Sequence, residues 1–366
     1  MNKNLDVKVL VLEGNAQEIG QAHGQKLKSV IQNGVDRWKK DLHKLTGIEP
    51  KNYIDQFIED TNMIAAAKKW TANLLEEIEG ISQGAEIDFN TVFAWQCVDE
   101  EWWYRVFEKK LGFEALGLKK CSGLGCFKEK GSPPLLAQNL ELPNYYDGLQ
   151  TLLHIKHSKS RLESLVFTPA GVIGMNGLNN QPLGVCVNTL LELINSKDGL
   201  PVAFVVRGIL EQPTLDNAVR FLREVRHASG QNYILGDAEK IVDFECSANK
   251  VSQYLPRKGT FRICHTNHVL ANDDRRPLAD EVVKKSTTRA RFDSVKSQLN
   301  DPLRKITVDI IKSILSSHEA PVCVHKTQDP GTLCTFGSMI MSLSKSPILH
   351  LASGPPCSTE WRRYKF

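Results

Sequence analysis

The hydrophobic residues of this chain recur at helical spacing up to about residue 120 and in short strand-length runs after it. Helices grouped ahead of runs of strands call for packed α+β layers, because each strand run exposes an apolar face that another layer must cover. In the first part, VKVLVL over 7–12 reads as a short opening strand. Asn15 followed by Glu18 predicts a helix start with a capping box. Ile19, Leu27, Val30, Ile31, Val35, Trp38 and Leu42 then recur at helical spacing. A second helix is predicted over 64–81, with Gly84 just past its end, and a third from Asp88 through Trp95. The aromatic residues Trp95, Trp102, Trp103, Tyr104 and Phe107 read as a helix-packing surface, with an apolar substrate pocket as the alternative.

Beyond residue 120, strands are predicted at 135–139, 152–155, 165–168, 185–188, 233–235, 241–246 and 263–266, and two closing strands at 338–341 and 348–351. Helices are predicted at 201–211, behind a Thr214 cap, at 281–299 and at 308–316. The 366 residues carry 46 basic and 42 acidic side chains, too even a balance to argue for nucleic acid or a membrane surface. No apolar run is long enough to span a membrane, and the first residues do not resemble a secretory signal. The nine cysteines are scattered and form no C-x-x-C pair, so structural zinc has little support and no metal is expected. They read mostly as buried thiols of a cytoplasmic protein. No dinucleotide or P-loop pattern is present, and no cofactor is expected.

The densest local signal is KKCSGLGCFKEKGSPPLLAQNLELP at 119–143. Cys121, Gly123 and Gly125 alternate with Ser122, Leu124 and Cys126, as a strand requires. A polar turn ending in Gly-Ser-Pro-Pro follows, and 135–141 returns. The hairpin brings Gln138, Asn139 or Glu141 near Cys121. A thiol at a strand start opposite polar side chains is one requirement of cysteine nucleophilic catalysis, although a core cysteine in a hairpin is also common. Cys126, nearer the turn, reads as a buried neighbour. His265 and His268, three apart on a strand, should face opposite ways, which argues against a metal pair. Ser286, Arg289 and Arg291 read as a solvated or salt-bridged helix face, with a substrate-carboxylate role for Arg289 as the alternative.

Several motifs, in order, resemble the acyl-coenzyme A:isopenicillin N (6-aminopenicillanic acid) acyltransferase family of N-terminal-nucleophile hydrolases, which is related to choloylglycine hydrolases and penicillin V acylases. They are EIGQAHGQKL at 18–27, Cys-Ser-Gly-Leu at 121–124 with Gln138-Asn139-Leu140-Glu141, and AGVIGMNGLNNQPLGVCVNTL at 170–190. HTNHVL at 265–270, VCVH at 322–325, SMIM at 338–341 and ASGPPC at 352–357 complete the set.

The resemblance implies a four-layer αββα sandwich that cuts itself between Lys120 and Cys121. Residues 1–120 would form a mainly helical α-chain and 121–366 a β-chain, both in one αββα domain and held as an α/β heterodimer. The new α-amine of Cys121, with an ordinary pKa of about 8, would serve as the base. By motif, Asn188 and Asn267 are candidate oxyanion donors, Asn139 and Glu141 line the return strand, and Glu141 would face the amine. Gln138 and Ser122 fall at substrate-binding positions. The expected partner is a small acyl amide or acyl thioester, and an oligomer is left open. Two positions depart from the family pattern: Lys120 replaces a frequent Gly, and Asp329-Pro330-Gly331-Thr332 lacks an Arg. Three functions follow as expectations: an amidohydrolase of linear amides, an acyltransferase to an amine, and an unprocessed relative that only binds ligand.

Overall fold

The computed structural model describes residues 7–110, 121–129, 131–158, 161–256, 262–276, 283–301, 305–327 and 332–366. The linker over 111–120, with Gly112, Gly117 and Lys120, lies outside the described residues, as do 329–331 of the Asp-Pro-Gly-Thr stretch. Strand β1 (Lys8–Gly14) leads into α1 (Ala16–Lys26), α2 (Lys28–Thr46), α3 (Pro50–Glu59), α4 (Met63–Trp70), α5 (Ala72–Ala85), α6 (Phe89–Gln96) and α7 (Val98–Trp103). Strands β2 (Ser122–Cys126), β3 (Leu135–Pro143), β4 (Gln150–His157), β5 (Glu163–Pro169), β6 (Asn176–Asn179) and β7 (Gly184–Thr189) follow. Next come α8 (Val202–Leu210), α9 (Leu215–Glu224), β8 (Gln231–Gly236), β9 (Ile241–Cys246), β10 (Val251–Tyr254) and β11 (Arg262–His265). The chain closes with α10 (Thr288–Leu299), α11 (Val308–Leu315), β12 (Leu333–Ser342), β13 (Ile348–Ala352) and β14 (Arg362–Tyr364).

An eight-stranded sheet has the order β1-β4-β5-β6-β7-β8-β9-β10, and a six-stranded sheet the order β11-β2-β3-β12-β13-β14. Strands β2 and β3 face β7 and β8, which puts the sheets face to face. Helix α8 packs on the outer face at β6 and β7, while α10 and α11 pack on β11, β3 and β12. The αββα sandwich expected from sequence is therefore the fold observed. No helix among the described residues is long and apolar enough to cross a membrane.

The sequence motifs now have physical reasons. Asn15 and Glu18 form the capping box. In EIGQAHGQKL, Gly20 and Gly24 of α1 meet Gly80 and Gly84 of α5 backbone to backbone. A Cβ on Gly20 would stand 1.9 Å from the Glu77 carbonyl oxygen, and one on Gly84 2.4 Å from that of Gln21. The expected end of the second helix at Gly84 is thus corrected: this glycine is a packing residue, the helix runs to Ala85, and Glu86 takes the left-handed position with φ 54°. The helical run through Leu42 divides at Leu27, and the one over 64–81 divides at Thr71. The Thr71 hydroxyl donates to the Ala67 carbonyl, a local bond that competes with helix continuation. His23, beside the glycine ladder, accepts a 3.0 Å bond from the Gly171 amide and so ties α1 to the AGVIGMNG motif. Burial, with Arg207 adding, pushes its imidazole down to about 3, so it is a neutral acceptor. Trp95, Trp103 and Tyr104 are fully buried, the packing role expected of them.

The interior between the sheets also carries charge. His265 donates from Nε2 to Glu245 at 2.8 Å, and Glu245 also accepts from the amides of Leu270, Ala271 and Asn272. Burial alone would lower the His265 imidazole, but Glu245 and Asp243 raise it. Burial pushes the Asp243 carboxyl up to about 7, Glu245 adding and His265 opposing.

Two outcomes follow. Gly20→Ala gains up to about 1 kcal/mol in helix propensity, but overpacking against fixed backbone costs about 1–3 kcal/mol or more. Chemical denaturation should therefore show net destabilisation; an unchanged or raised midpoint would mean the helices are not in backbone contact. Asp243 binds a proton in the folded chain between its ordinary 3.8 and about 7, where the unfolded chain has released it. Its contribution is complete below that window and is lost as pH rises through it. Asp243→Asn should flatten the fall of stability across that window; a slope equal to the parent's would assign the fall to other groups.

Candidate active site

The β2–β3 hairpin sets the register of the site. Ser122 pairs with Asn139, Gly123 with Gln138, and Cys126 with Leu135. Leu124 and Cys126 pack outward into the cluster with Phe292, Val295, Ile311 and Ile314 from α10 and α11. Gly123 faces the other way, where a Cβ would stand 2.7 Å from Asn188 Oδ1 and 3.2 Å from Ile234. Cys121 precedes β2 on the Gly123 side of the alternation, packs in the central core and is 4% exposed. Its Sγ lies 3.5 Å from the Glu141 amide nitrogen, which donates to it, and 4.0 Å from the Glu141 carbonyl oxygen. Sequence placed Glu141 near this sulfur, and the fold does so.

A buried cation holds the strand start. Arg291 Nη1 donates to the Cys121 carbonyl at 2.7 Å and to Ser122 Oγ at 3.0 Å, and Nη2 donates to Asn267 Oδ1 at 2.8 Å. Burial pushes its guanidinium down to about 10, while Glu141 and Cys121 pull it up, so it is charged at neutral pH. The solvated-face reading is corrected here. Arg289 is exposed on the first turn of α10, but Arg291, two positions later, is fully buried against the hairpin. Two positions on a helix turn the side chain through most of a half-circle, and the sequence does not say which side meets the sheet.

The other candidates divide by what their polar atoms do. Asn188, on β7, is fully buried, and neither its Nδ2 nor its Oδ1 has a hydrogen-bond partner among the described residues. It lies over Gly123 with a donor to spare. Asn267 is committed: Nδ2 donates to the Thr189 carbonyl at 3.0 Å while Oδ1 accepts from Arg291. Gln138 is also committed, donating to the Val187 carbonyl and accepting from Asn176 Nδ2 at 3.1 Å, which staples β3 to the opposite sheet. Asn139 turns away from the sheet interface and donates to the carbonyls of Leu315 and Val322 at 2.8 Å each. Glu141 Oε1 accepts from Thr335 Oγ1 at 2.6 Å, opposite a register shift between Thr335 and Gly337 in β12. A bulge at that point re-aims side chains of the pair. Ser122 serves Arg291. Cys126 is buried, and burial pushes its thiol up to about 12, a poor source of thiolate. His265 bonds Glu245 and the Thr266 carbonyl, whereas His268 Nδ1 bonds the hydroxyls of Thr266 and Thr288, so the two rings share a residue but no bonding atom.

Sequence reading missed Arg291, Thr335 and Glu245 as members of this assembly. The donors that Glu245 serves are the His265 ring and the successive amides of Leu270, Ala271 and Asn272, which, once buried, need an acceptor.

Comparison with known proteins places these features. Residues 128–348 match the acyl-coenzyme A:6-aminopenicillanic acid acyl-transferase family, a span that includes Gln138, Asn139, Glu141, Asn188, Asn267 and Arg291 and begins after Cys121. Among solved structures the chain is similar to the Caenorhabditis elegans N-acylethanolamine-hydrolyzing acid amidase ortholog, at 15% identity and TM-score 0.46 over 61% of this chain and 92% of that one. It is similar to a variant of conjugated bile acid hydrolase from Clostridium perfringens, at 13% identity and TM-score 0.43 over 67% and 97%. It is also similar to penicillin V acylase from Agrobacterium tumefaciens, at 13% identity and TM-score 0.39 over 67% and 85%. Matched over more than half of its length, the chain belongs to the acyl-coenzyme A:6-aminopenicillanic acid acyl-transferase family.

Proposed function

We propose that the protein is a self-processing cysteine amidohydrolase of small linear amides with Cys121 as nucleophile. The observation that carries this reading is the setting of the Cys121 sulfur. It begins a strand whose first carbonyl is held by Arg291, and it touches the Glu141 backbone, with the Asn188 carboxamide over the next residue of its face. In the maturation step the Cys121 sulfur attacks the Lys120 carbonyl carbon. The Lys120–Cys121 C–N bond breaks as a thioester forms, and the nitrogen takes a proton to become an α-amine. Water then cleaves the thioester, leaving the Lys120 carboxylate and a free thiol. In turnover the α-amine takes the thiol proton, the thiolate adds to the amide carbonyl, and the same proton leaves with the departing amine. Water releases the acyl group from sulfur.

The remaining residues take roles from their geometry. Asn188 Nδ2 donates to the developing oxyanion, since no acceptor among the described residues occupies it. Glu141 faces the α-ammonium, and its hydrogen bond from Thr335 fixes its carboxylate. Arg291 and Asn267 are positioning residues that fix the start of β2. Gln138 holds the sheets together. The cysteines are all free thiols, which suits a reducing cytoplasm. Transfer of the acyl group to an amine shares every step up to the acyl-enzyme, and the family's own name favours keeping it as the second reading.

Intact mass on fresh protein should show roughly 13 and roughly 28 kDa fragments of the 41.0 kDa chain, scaling mass with residues 1–120 and 121–366. Cys121→Ala should abolish both the cut and turnover, whereas Cys126→Ala should keep both; turnover persisting without the Cys121 sulfur would remove it from the mechanism. A single uncut species that forms no acyl-enzyme with an activated acyl donor would favour the ligand-binding relative. Product partition with added amine separates the first two readings: acyl-amine formed in preference to free acid would select the transferase. Arg291→Met removes charge-assisted hydrogen bonds worth about 1.5–3 kcal/mol each, so kcat/KM should fall about tenfold to a hundredfold in whatever protein matures. Unchanged kcat/KM would deny Arg291 its positioning role.

A further inference from the structure

Two C-terminal motifs, VCVH and ASGPPC, lend the site above no side chain. They converge elsewhere. Cys323 and His325 lie in the irregular segment ahead of β12, His318 in the turn after α11, and Cys357 in the turn after β13. One donor atom from each of the four lies within 4.8 Å of all the others. His318 Nε2 stands 3.1 Å from His325 Nε2, His325 Nε2 stands 3.2 Å from Cys357 Sγ, and Cys357 Sγ stands 3.5 Å from Cys323 Sγ. For metal–nitrogen distances of about 2.0–2.1 Å and metal–sulfur distances of about 2.3 Å, a tetrahedron separates its donors by about 3.3–3.8 Å. Three of the six separations thus stand within a few tenths of an ångström of the edges of such a tetrahedron, and the others reach at most 4.8 Å. Hydrogen bonding alone is a poor account. The two imidazoles stack with centroids 5.2 Å apart, their adjacent Nε2 atoms share at most one proton, and thiols are weak donors and acceptors. The absence of a C-x-x-C pair is no obstacle, because the fold gathers the donors from three separate segments.

We propose that His318, Cys323, His325 and Cys357 bind one Zn²⁺ in a closed tetrahedral site. Two thiolates and two imidazoles suit Zn²⁺ among the common divalent ions. Binding releases the two thiol protons to solvent and involves no oxidation or reduction. Four protein donors leave no open position, so the ion is structural. Its reach is specific. Val322, beside Cys323, gives its carbonyl to Asn139, and Val324, between two ligands, exchanges hydrogen bonds with Thr335, the partner of Glu141. The ion ties the C-terminal turn at Cys357 to the segment that braces the return strand of the nucleophile hairpin.

The full chain, purified without chelator, should carry about one zinc per polypeptide by elemental analysis. Cys357→Ser and His325→Ala should each lose it, and Cys334→Ala should keep it, with far-ultraviolet circular dichroism confirming that each variant is folded. Replacement by Co²⁺ in the parent chain gives a readout independent of any variant. Intense visible bands of tetrahedral cobalt and a thiolate-to-cobalt charge-transfer band should appear, and Cys357→Ser should abolish both. A folded parent chain without zinc that gives octahedral cobalt spectra would overturn the proposal. So would zinc retained in both ligand variants, or a Cys323–Cys357 disulfide in the non-reduced intact mass.

Discussion

A guanidinium buried between a strand and a helix must be fully paired, because an uncompensated buried charge costs several kcal/mol. Arg291 meets that demand with oxygens of Cys121, Ser122 and Asn267. These acceptors lie on the start of β2 and on the segment after β11, and the cation itself rides on α10. One charge therefore fixes three pieces of chain around one sulfur. The arrangement is tightened from the other side, where Glu245 collects three backbone amides and His265 and so sets the course of the segment that carries Asn267. Both ion groups decide where the backbone that carries the Cys121 sulfur must run.

Much of this architecture was legible in residue order. The capping box at Asn15, the Thr214 cap and the β2–β3 hairpin rest on local chemistry, which a sequence displays. The face alternation of Cys121, Gly123 and Gly125 against Leu124 and Cys126 was legible for the same reason. What escaped depends on partners far away in the chain. Gly84 looks like a helix stop until α1 is seen lying against it. Arg291 looks like a solvated cation until the hairpin covers it. Gln138 and Asn139 are adjacent, yet one staples the sheets while the other braces α11 and its following turn, because alternate residues of a strand face opposite layers. Their identities were readable and their allegiances were not.

The same logic separates Asn188 from Asn267. Asn188 lies near the end of β7 and Asn267 just past the end of β11, and both are buried. Burying a carboxamide with its polar atoms unmet costs about 1–3 kcal/mol, so a chain that keeps one in its core maintains an unsatisfied donor. Asn267 has no such deficit, since each end of its amide is occupied. Asn188 has it, among the described residues, beside the strand that Cys121 leads into. A transition state that places negative charge there would repair the deficit at the moment of reaction, which is the condition under which a hydrogen bond lowers a barrier rather than merely tightening binding.

A cut ahead of Cys121 would also leave the two pieces no route apart. Strand β1 pairs with β4 in parallel along seven residues, from Lys8 with Thr151 to Gly14 with His157. The Glu77 carboxylate on α5 meets Arg207 on α8 through two hydrogen bonds of 2.9 and 2.8 Å, fully buried. His23 and Gln96 hold the backbone at Gly171 and Ile173 from the helical side. Separation would expose all of these groups at once, including a buried ion pair. Breaking one peptide bond supplies nothing to offset that cost, because the severed ends gain only local freedom. Maturation would then leave the sandwich intact and change one atom's chemistry, turning an amide nitrogen with no basicity into an amine beside the sulfur it must deprotonate.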